Sequence, residues 1–135
     1  MRYIIDSDVA IHLRDKSVTI TDRLAALDAD LAISIVTRVE LEGGIFRAPE
    51  HAATRRVRLQ SMLKTIDCLA FDDVDAEAYG KIVEAVGYSR PRILDRMIAA
   101  QAIVAGATLI TMNGDDYKNI PGLQLEIWAS PAGLN

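Results

Sequence analysis

Short apolar runs alternate along the chain with longer segments whose apolar residues recur at helical spacing. The first run, Tyr3-Ile4-Ile5, stops at Asp6, and the second, residues 31–36, stops at Thr37, where a helix is expected to begin. Both read as buried strands, because a strand covered on both faces is a continuous apolar run and not an alternation. Between them Asp6 or Asp8 can cap a first helix through Leu13, and Thr21 can cap a short one through Leu27. Gly43-Gly44 is expected to interrupt or weaken the helix after Thr37. Beyond Pro49, residues 50–64 carry Val57, Leu59, Met62 and Leu63 on one face, with Arg55, Arg56 and Arg58 opposite. Residues 65–71 alternate only in part, as an edge or half-buried strand does. Asp72 or Asp73 then caps a helix through Val86 that Gly87 ends, and Pro91 makes residues 88–92 a connector. An alanine-rich helix over Ile93–Ala105 closes at Gly106, and strands over Thr108–Thr111 and 125–127 flank a turn at Pro121-Gly122. Strands alternating with helices predict an α/β fold with a central parallel sheet.

Composition narrows the class. At 135 residues, half hydrophobic and a quarter charged, the chain is expected to be one soluble domain spanning 1–135, which excludes a disordered tail or a disulfide-stapled mini-protein. Fifteen basic against nineteen acidic residues give a net charge of −4, which argues against a general coat for DNA or a membrane surface. Contact with nucleic acid must therefore be local. The single cysteine, Cys68, has no internal partner, so a reducing compartment, the cytoplasm, is expected. The apolar start is too short for a signal segment and is broken by Asp6 and Asp8, and no apolar run approaches a membrane span. His12 and His51 read as ordinary surface or packing residues.

The acids carry the candidate chemistry. Ligands of open parallel sheets bind beyond the carboxyl ends of the strands, and acids fall there repeatedly. Asp6 and Asp8 follow the first strand, and Glu40 lies one helical turn after the second. Asp95 stands near the start of the alanine-rich helix, and Asn113, Asp115 and Asp116 follow the Thr108–Thr111 strand. Two unit charges 4 Å apart repel by about 1 kcal/mol in water and about 4 kcal/mol at an effective dielectric near 20, so a cluster needs compensation. Oxygen ligands without histidine or thiolate suit Mg2+ or Mn2+ rather than zinc. Such a site can activate water for attack on phosphorus and stabilise the leaving oxygen. Each acid alone also has a structural reading. Thr37-Arg38-Val39-Glu40 matches a capping box, Asp6 or Asp8 caps a helix, Asp95 suits a first helical turn, and Asp115 and Asp116 sit beside a turn-forming Asn113-Gly114. Their joint placement is what favours chemistry.

Four segments, in this order, resemble the PIN-domain family, and within it the VapC-type toxin ribonucleases. They are Tyr3-Ile4-Ile5-Asp6-Ser7-Asp8, Ile35-Val36-Thr37-Arg38-Val39-Glu40-Leu41, Leu94-Asp95-Arg96-Met97-Ile98-Ala99-Ala100, and Leu109-Ile110-Thr111-Met112-Asn113-Gly114-Asp115-Asp116-Tyr117. The resemblance runs nearly end to end. It implies an α/β/α sandwich around a parallel sheet and a metal-binding catalytic quartet of Asp6, Glu40, Asp95 and Asp116 with Mg2+ or Mn2+. Asp116 is preferred to Asp115 because the motif sets the acid three residues after Asn113 and before an aromatic, here Tyr117. Ser7, Thr111 and Asn113 would orient the acids. Asp8 stands where the family usually has Asn, and is read as a helix cap or an added charge. The implied activity is cleavage of single-stranded or loop RNA, tRNA included. The implied partners are a VapB-type antitoxin, a second copy of the chain in a homodimer, and operator DNA only through the antitoxin. Arg90, Arg92 and Arg96, close in sequence to Asp95, are candidate contacts for RNA or antitoxin.

Two other readings compete. Asp6-Ser7-Asp8 after a first strand also resembles the opening of haloacid dehalogenase phosphohydrolases, which need a nucleophilic aspartate and a placed lysine, and which would leave Glu40 and Asp95 idle. A noncatalytic acidic docking module is the other.

Overall fold

β1 (Arg2–Ile5) leads into α1 (Ser7–Arg14) and α2 (Val18–Ala26), then β2 (Asp30–Ser34) into α3 (Ile35–Ile45). A short 3-10 turn (Pro49–His51) precedes α4 (Ala52–Leu63), β3 (Asp67–Leu69) and α5 (Asp73–Val86). A second turn (Arg90–Arg92) opens α6 (Ile93–Ala105), followed by β4 (Thr108–Thr111), a third turn (Gly114–Tyr117) and β5 (Gln124–Ile127). The structure is a computed structural model that describes residues 1–131; the last four residues of the expected 1–135 span lie outside the described residues.

The five strands form one parallel sheet in the order β3-β2-β1-β4-β5, with helices on both faces, the expected α/β/α arrangement. Successive side chains of a strand point to opposite faces, so each central strand feeds two cores. Ile5, Ile33 and Ile110 face α1 to α4, whereas Ile4, Ala32 and Leu109 face α5 and α6. The chain runs outward from β1 through β2 to β3, then returns to β4 on the other side of β1. Strand order therefore reverses between β1 and β4, and this is where such sheets open a ligand crevice.

The local expectations hold in outline and shift at four places. Ser17, not Thr21, caps α2, its hydroxyl accepting from the Ile20 amide. β2 ends at Ser34, whose buried hydroxyl accepts from the Val36 amide, so α3 starts two residues before Thr37 and the expected capping box does not form. α3 runs straight through Gly43-Gly44, because Leu41 and Ile45 bury its inner face and outweigh the glycines' poor helix propensity. On α4, Leu59 and Met62 are buried but Val57 is exposed, while Arg55 and Arg56 reach back to the Gly44 carbonyl and the Glu42 carboxylate. Asp72 caps α5 in a reciprocal box with Asp75. Buried Gln101 of α6 donates to the carbonyls of Leu69 and Ala70, which ties α6 to the end of β3.

Candidate active site

Asp6 follows the last residue of β1 and caps α1, its Oδ1 accepting from the Val9 amide at 3.2 Å. Its backbone N–H still bonds the Ile110 carbonyl of β4 at 3.1 Å, so the carboxylate is seated at the β1/β4 reversal point. There Thr111, at the end of β4, donates to Oδ2 at 2.6 Å, and the Tyr117 phenol donates to the same oxygen at 3.4 Å. Asp6 is only 5% exposed. Burial is the main reason its pKa is pushed up to about 6, against the lowering effect of the Thr111 and Val9 bonds, with the Asp8 charge adding to the rise.

The other acids arrive from three more elements. Glu40 stands on α3, and the Ser7 hydroxyl of α1 donates to its Oε1 while lying 3.1 Å from the Thr37 hydroxyl. Asp95 is in the first turn of α6, and because α6 runs away from the carboxyl edge of the sheet to enter β4, that turn faces the crevice. Asp116 lies on the turn after β4, its Oδ2 accepting from Asn113 Nδ2 at 2.8 Å and its Oδ1 3.7 Å from Arg92 Nη1. The Asn113 amide in turn donates to Thr111 Oγ1 at 3.0 Å.

Asp95 reports the convergence. Its pKa is pushed up to about 6, first by burial and then by the charges of Asp116, Asp6, Glu40 and Asp8. The charges of the other three acids and of Asp8 thus all bear on Asp95, and Asp6 and Asp116 both follow strands that end at the β1/β4 reversal. Burial and three of these acids also hold the Tyr117 phenol far above its ordinary value, which keeps it a proton donor to Asp6. The acids remain spread: among the described residues no three His, Cys, Asp or Glu side chains are already gathered into a metal ligand set. Their donors are all oxygen, and their uncompensated charge is of the kind that a hard divalent cation offsets.

Two sequence expectations change. Asp8 is not the cap, which Asp6 provides; it is exposed in the first turn of α1 and adds charge to the cluster. Arg96 is buried, its Nη1 donating to the Gly87 carbonyl at 2.6 Å, so it braces the α5–α6 connection and is unavailable to RNA or a partner protein. Arg92 stands at the site against Asp116, and Arg90 is exposed on the same turn. Tyr117, which the sequence marks only as an aromatic after Asp116, is buried here and bonds Asp6; no spacing along the chain signals that contact, because the two residues meet only through the β1/β4 pairing. A cavity of about 950 Å³ between α2 and α4, lined by Leu24, Arg58 and Met62 among others, holds none of these acids.

Residues 3–123 match the PIN domain family. The chain belongs to that family. The PIN match spans all four acids. Among curated proteins the chain is 26% identical over 132 residues to the tRNA(fMet)-specific endonuclease VapC of Shigella flexneri, covering 96% of this chain and 99% of the relative. It is 27% identical over 133 residues to ribonuclease VapC2 of Rickettsia felis, covering 95% and 98%. Among solved structures, VapBC2 from Rickettsia felis bound to a promoter DNA fragment superposes with a TM-score of 0.82 at 26% identity, over 95% of this chain and 99% of that one. DNA-bound VapBC from Salmonella typhimurium superposes at 0.81 with 22% identity, over 96% and 99%, a likeness of fold. This PIN domain is thus similar over nearly its whole length to VapC proteins.

Proposed function

We propose that this PIN protein is a VapC-type toxin: an endoribonuclease, dependent on Mg2+ or Mn2+, that hydrolyses phosphodiester bonds in single-stranded or loop RNA, tRNA among its substrates. The observation that carries the reading is the convergence of Asp6, Glu40, Asp95 and Asp116 on one crevice at the β1/β4 reversal. The names of its relatives support the RNA substrate, and the VapBC complexes support an antitoxin of VapB type as the neutralising partner. A homodimer, operator DNA reached only through the antitoxin, and a cytoplasmic location complete the reading. Among the described residues no helix is long and apolar enough to cross a membrane.

The quartet would hold the cation through carboxylate oxygens. When bound, the cation offsets the acids' mutual repulsion, polarises the scissile phosphate and makes attack by water feasible. The chain's own groups do the positioning. Thr111 and Tyr117 hold Asp6 from one side, Ser7 holds Glu40, and Asn113 holds Asp116, so three of the four acids are oriented by neighbouring side chains. In the hydrolysis, a water oxygen bonds to phosphorus, the P–O bond to the leaving ribose oxygen breaks, and that oxygen takes up a proton. The carboxylates set charge and geometry and form no covalent intermediate. A phosphohydrolase of haloacid dehalogenase type is disfavoured, because among the described residues no lysine pairs with any of the four acids.

Purified protein incubated with total RNA, with Mg2+ and with chelator, tests the proposal. Cleavage should require the cation. Asp6→Asn and Asp95→Asn, shown to be folded, should lose more than the about 10- to 100-fold typical of losing an outer supporting group. Undiminished cleavage by either variant would overturn it.

A further inference from the structure

Among the described residues, only Arg92 makes an ion pair with any of the four acids. It stands on the turn that opens α6, and so leads to Asp95, yet its Nη1 donates at 2.7 Å to the carbonyl of Asp115, 23 residues away on the turn that carries Asp116. The same nitrogen is 3.7 Å from Asp116 Oδ1, beyond hydrogen-bond reach. The firm bond is therefore to the backbone and the loose contact is to the acid. The Asp116 turn is otherwise held from the β4 side: the Asn113 amide bonds Thr111 Oγ1, buried Tyr117 reaches Asp6, the Asp116 amide reaches the Asn113 carbonyl at 3.2 Å, and Asn113 Nδ2 holds one carboxylate oxygen. Among the described side chains, that of Arg92 makes the hydrogen bond that ties this turn to the one opening α6.

We infer that Arg92 is a positioning residue, a strap joining the Asp95 and Asp116 turns that aims the Asp116 carboxylate into the crevice while leaving it free to turn onto a cation. The inference rests on the metal-site reading above. Rigid backbone placement with one carboxylate oxygen held by Asn113 and the other, Oδ1, left out of a tight ion pair is what such a ligand requires, since a tight pair would have to be broken before the acid could be used.

The charge of Arg92 works against a cation even as its geometry helps, so the deciding variant keeps the charge. Arg92→Lys retains the cation but replaces the long, planar guanidinium whose Nη1 meets the Asp115 carbonyl with a shorter, more flexible ammonium. Three measurements follow on parent and variant, both with unchanged thermal unfolding: amide exchange of residues 114–117 without metal, Mn2+ binding by calorimetry without RNA, and cleavage kinetics. The expected result is faster exchange in that turn, Mn2+ binding weaker by about 10-fold, and kcat lowered at limiting Mn2+ but recovered by excess, with KM for RNA unchanged. Unchanged exchange would overturn the strap. A raised KM with Mn2+ affinity intact would also overturn it and make Arg92 a direct RNA contact. Failure of the parent to bind Mn2+ would instead sink the metal-site reading, with exchange still judging Arg92.

Discussion

Asp6 is bonded on both carboxylate oxygens, yet burial still holds its pKa up at about 6 from an ordinary 3.8. The sign of the consequence follows directly. Below the unfolded value both states are protonated and there is no penalty; between about 4 and 6 the unfolded chain gives up its proton first, so stability falls as pH rises; above 6 the full cost stands. A shift of this size corresponds to about 3 kcal/mol. Asp95, half-buried, works in the same direction and through the same window. Asp6→Asn keeps the α1 cap through its one carbonyl oxygen and removes the charge, while its amide nitrogen faces the Thr111 hydroxyl as a donor in place of an acceptor. We therefore expect metal-free Asp6→Asn to unfold at higher temperature than the parent at pH 7.5 and to show a flatter stability profile from pH 4 to 7. Identical profiles in a chelated thermal series would contradict the assignment. At this scale the acids were legible as residues after strand ends. The state of Asp6 was not, because it depends on Thr111 and Tyr117, which are over 100 positions away.

The elements that deliver the acids were largely readable from apolar spacing, and the misreadings have a common cause. Thr37 looks like a cap, but Ser34 takes that role because β2 must stop where its register against β1 and β3 ends. Thr37, buried and beside Ser7, is freed to help place Glu40. The glycine pair looked like a break, but packing of Leu41 and Ile45 carries α3 past it. Gly43 is exposed in that helix, and a Cβ added there meets nothing within 4 Å. Gly43→Ala should therefore stabilise the protein by about 0.5 to 1 kcal/mol, read as a shifted urea midpoint with an unchanged slope, and leave RNA cleavage as it was. Loss of stability would mean that the α3 surface around Gly43 is occupied by something the chain alone does not show.

Across the whole molecule, charge and topology act together. Setting the quartet aside leaves 15 acids against 15 basic residues, so the net negative charge is numerically that of the site. A cation at the quartet should thus govern both stability and RNA affinity. With Mn2+ at 100 times its dissociation constant, the protein should gain about 2.7 kcal/mol against unfolding, and chelator should reverse the gain and weaken RNA binding in a gel-shift series. Asp6→Asn should show neither effect. A parent protein indifferent to chelator in both measurements would exclude the quartet as a metal site. The sequence by itself determined the alternation of strands and helices, the acids at the strand ends and the order of the four motifs, because hydrophobic periodicity and turn chemistry are local properties of the chain. Only the tertiary structure decided that α6 points its first turn at the crevice, that Arg92 faces Asp116 while Arg96 is buried, and that Tyr117 holds Asp6. These depend on the parallel register that aligns every strand end on one edge, and on packing that chooses the direction of long side chains. Neither is carried by spacing along the chain.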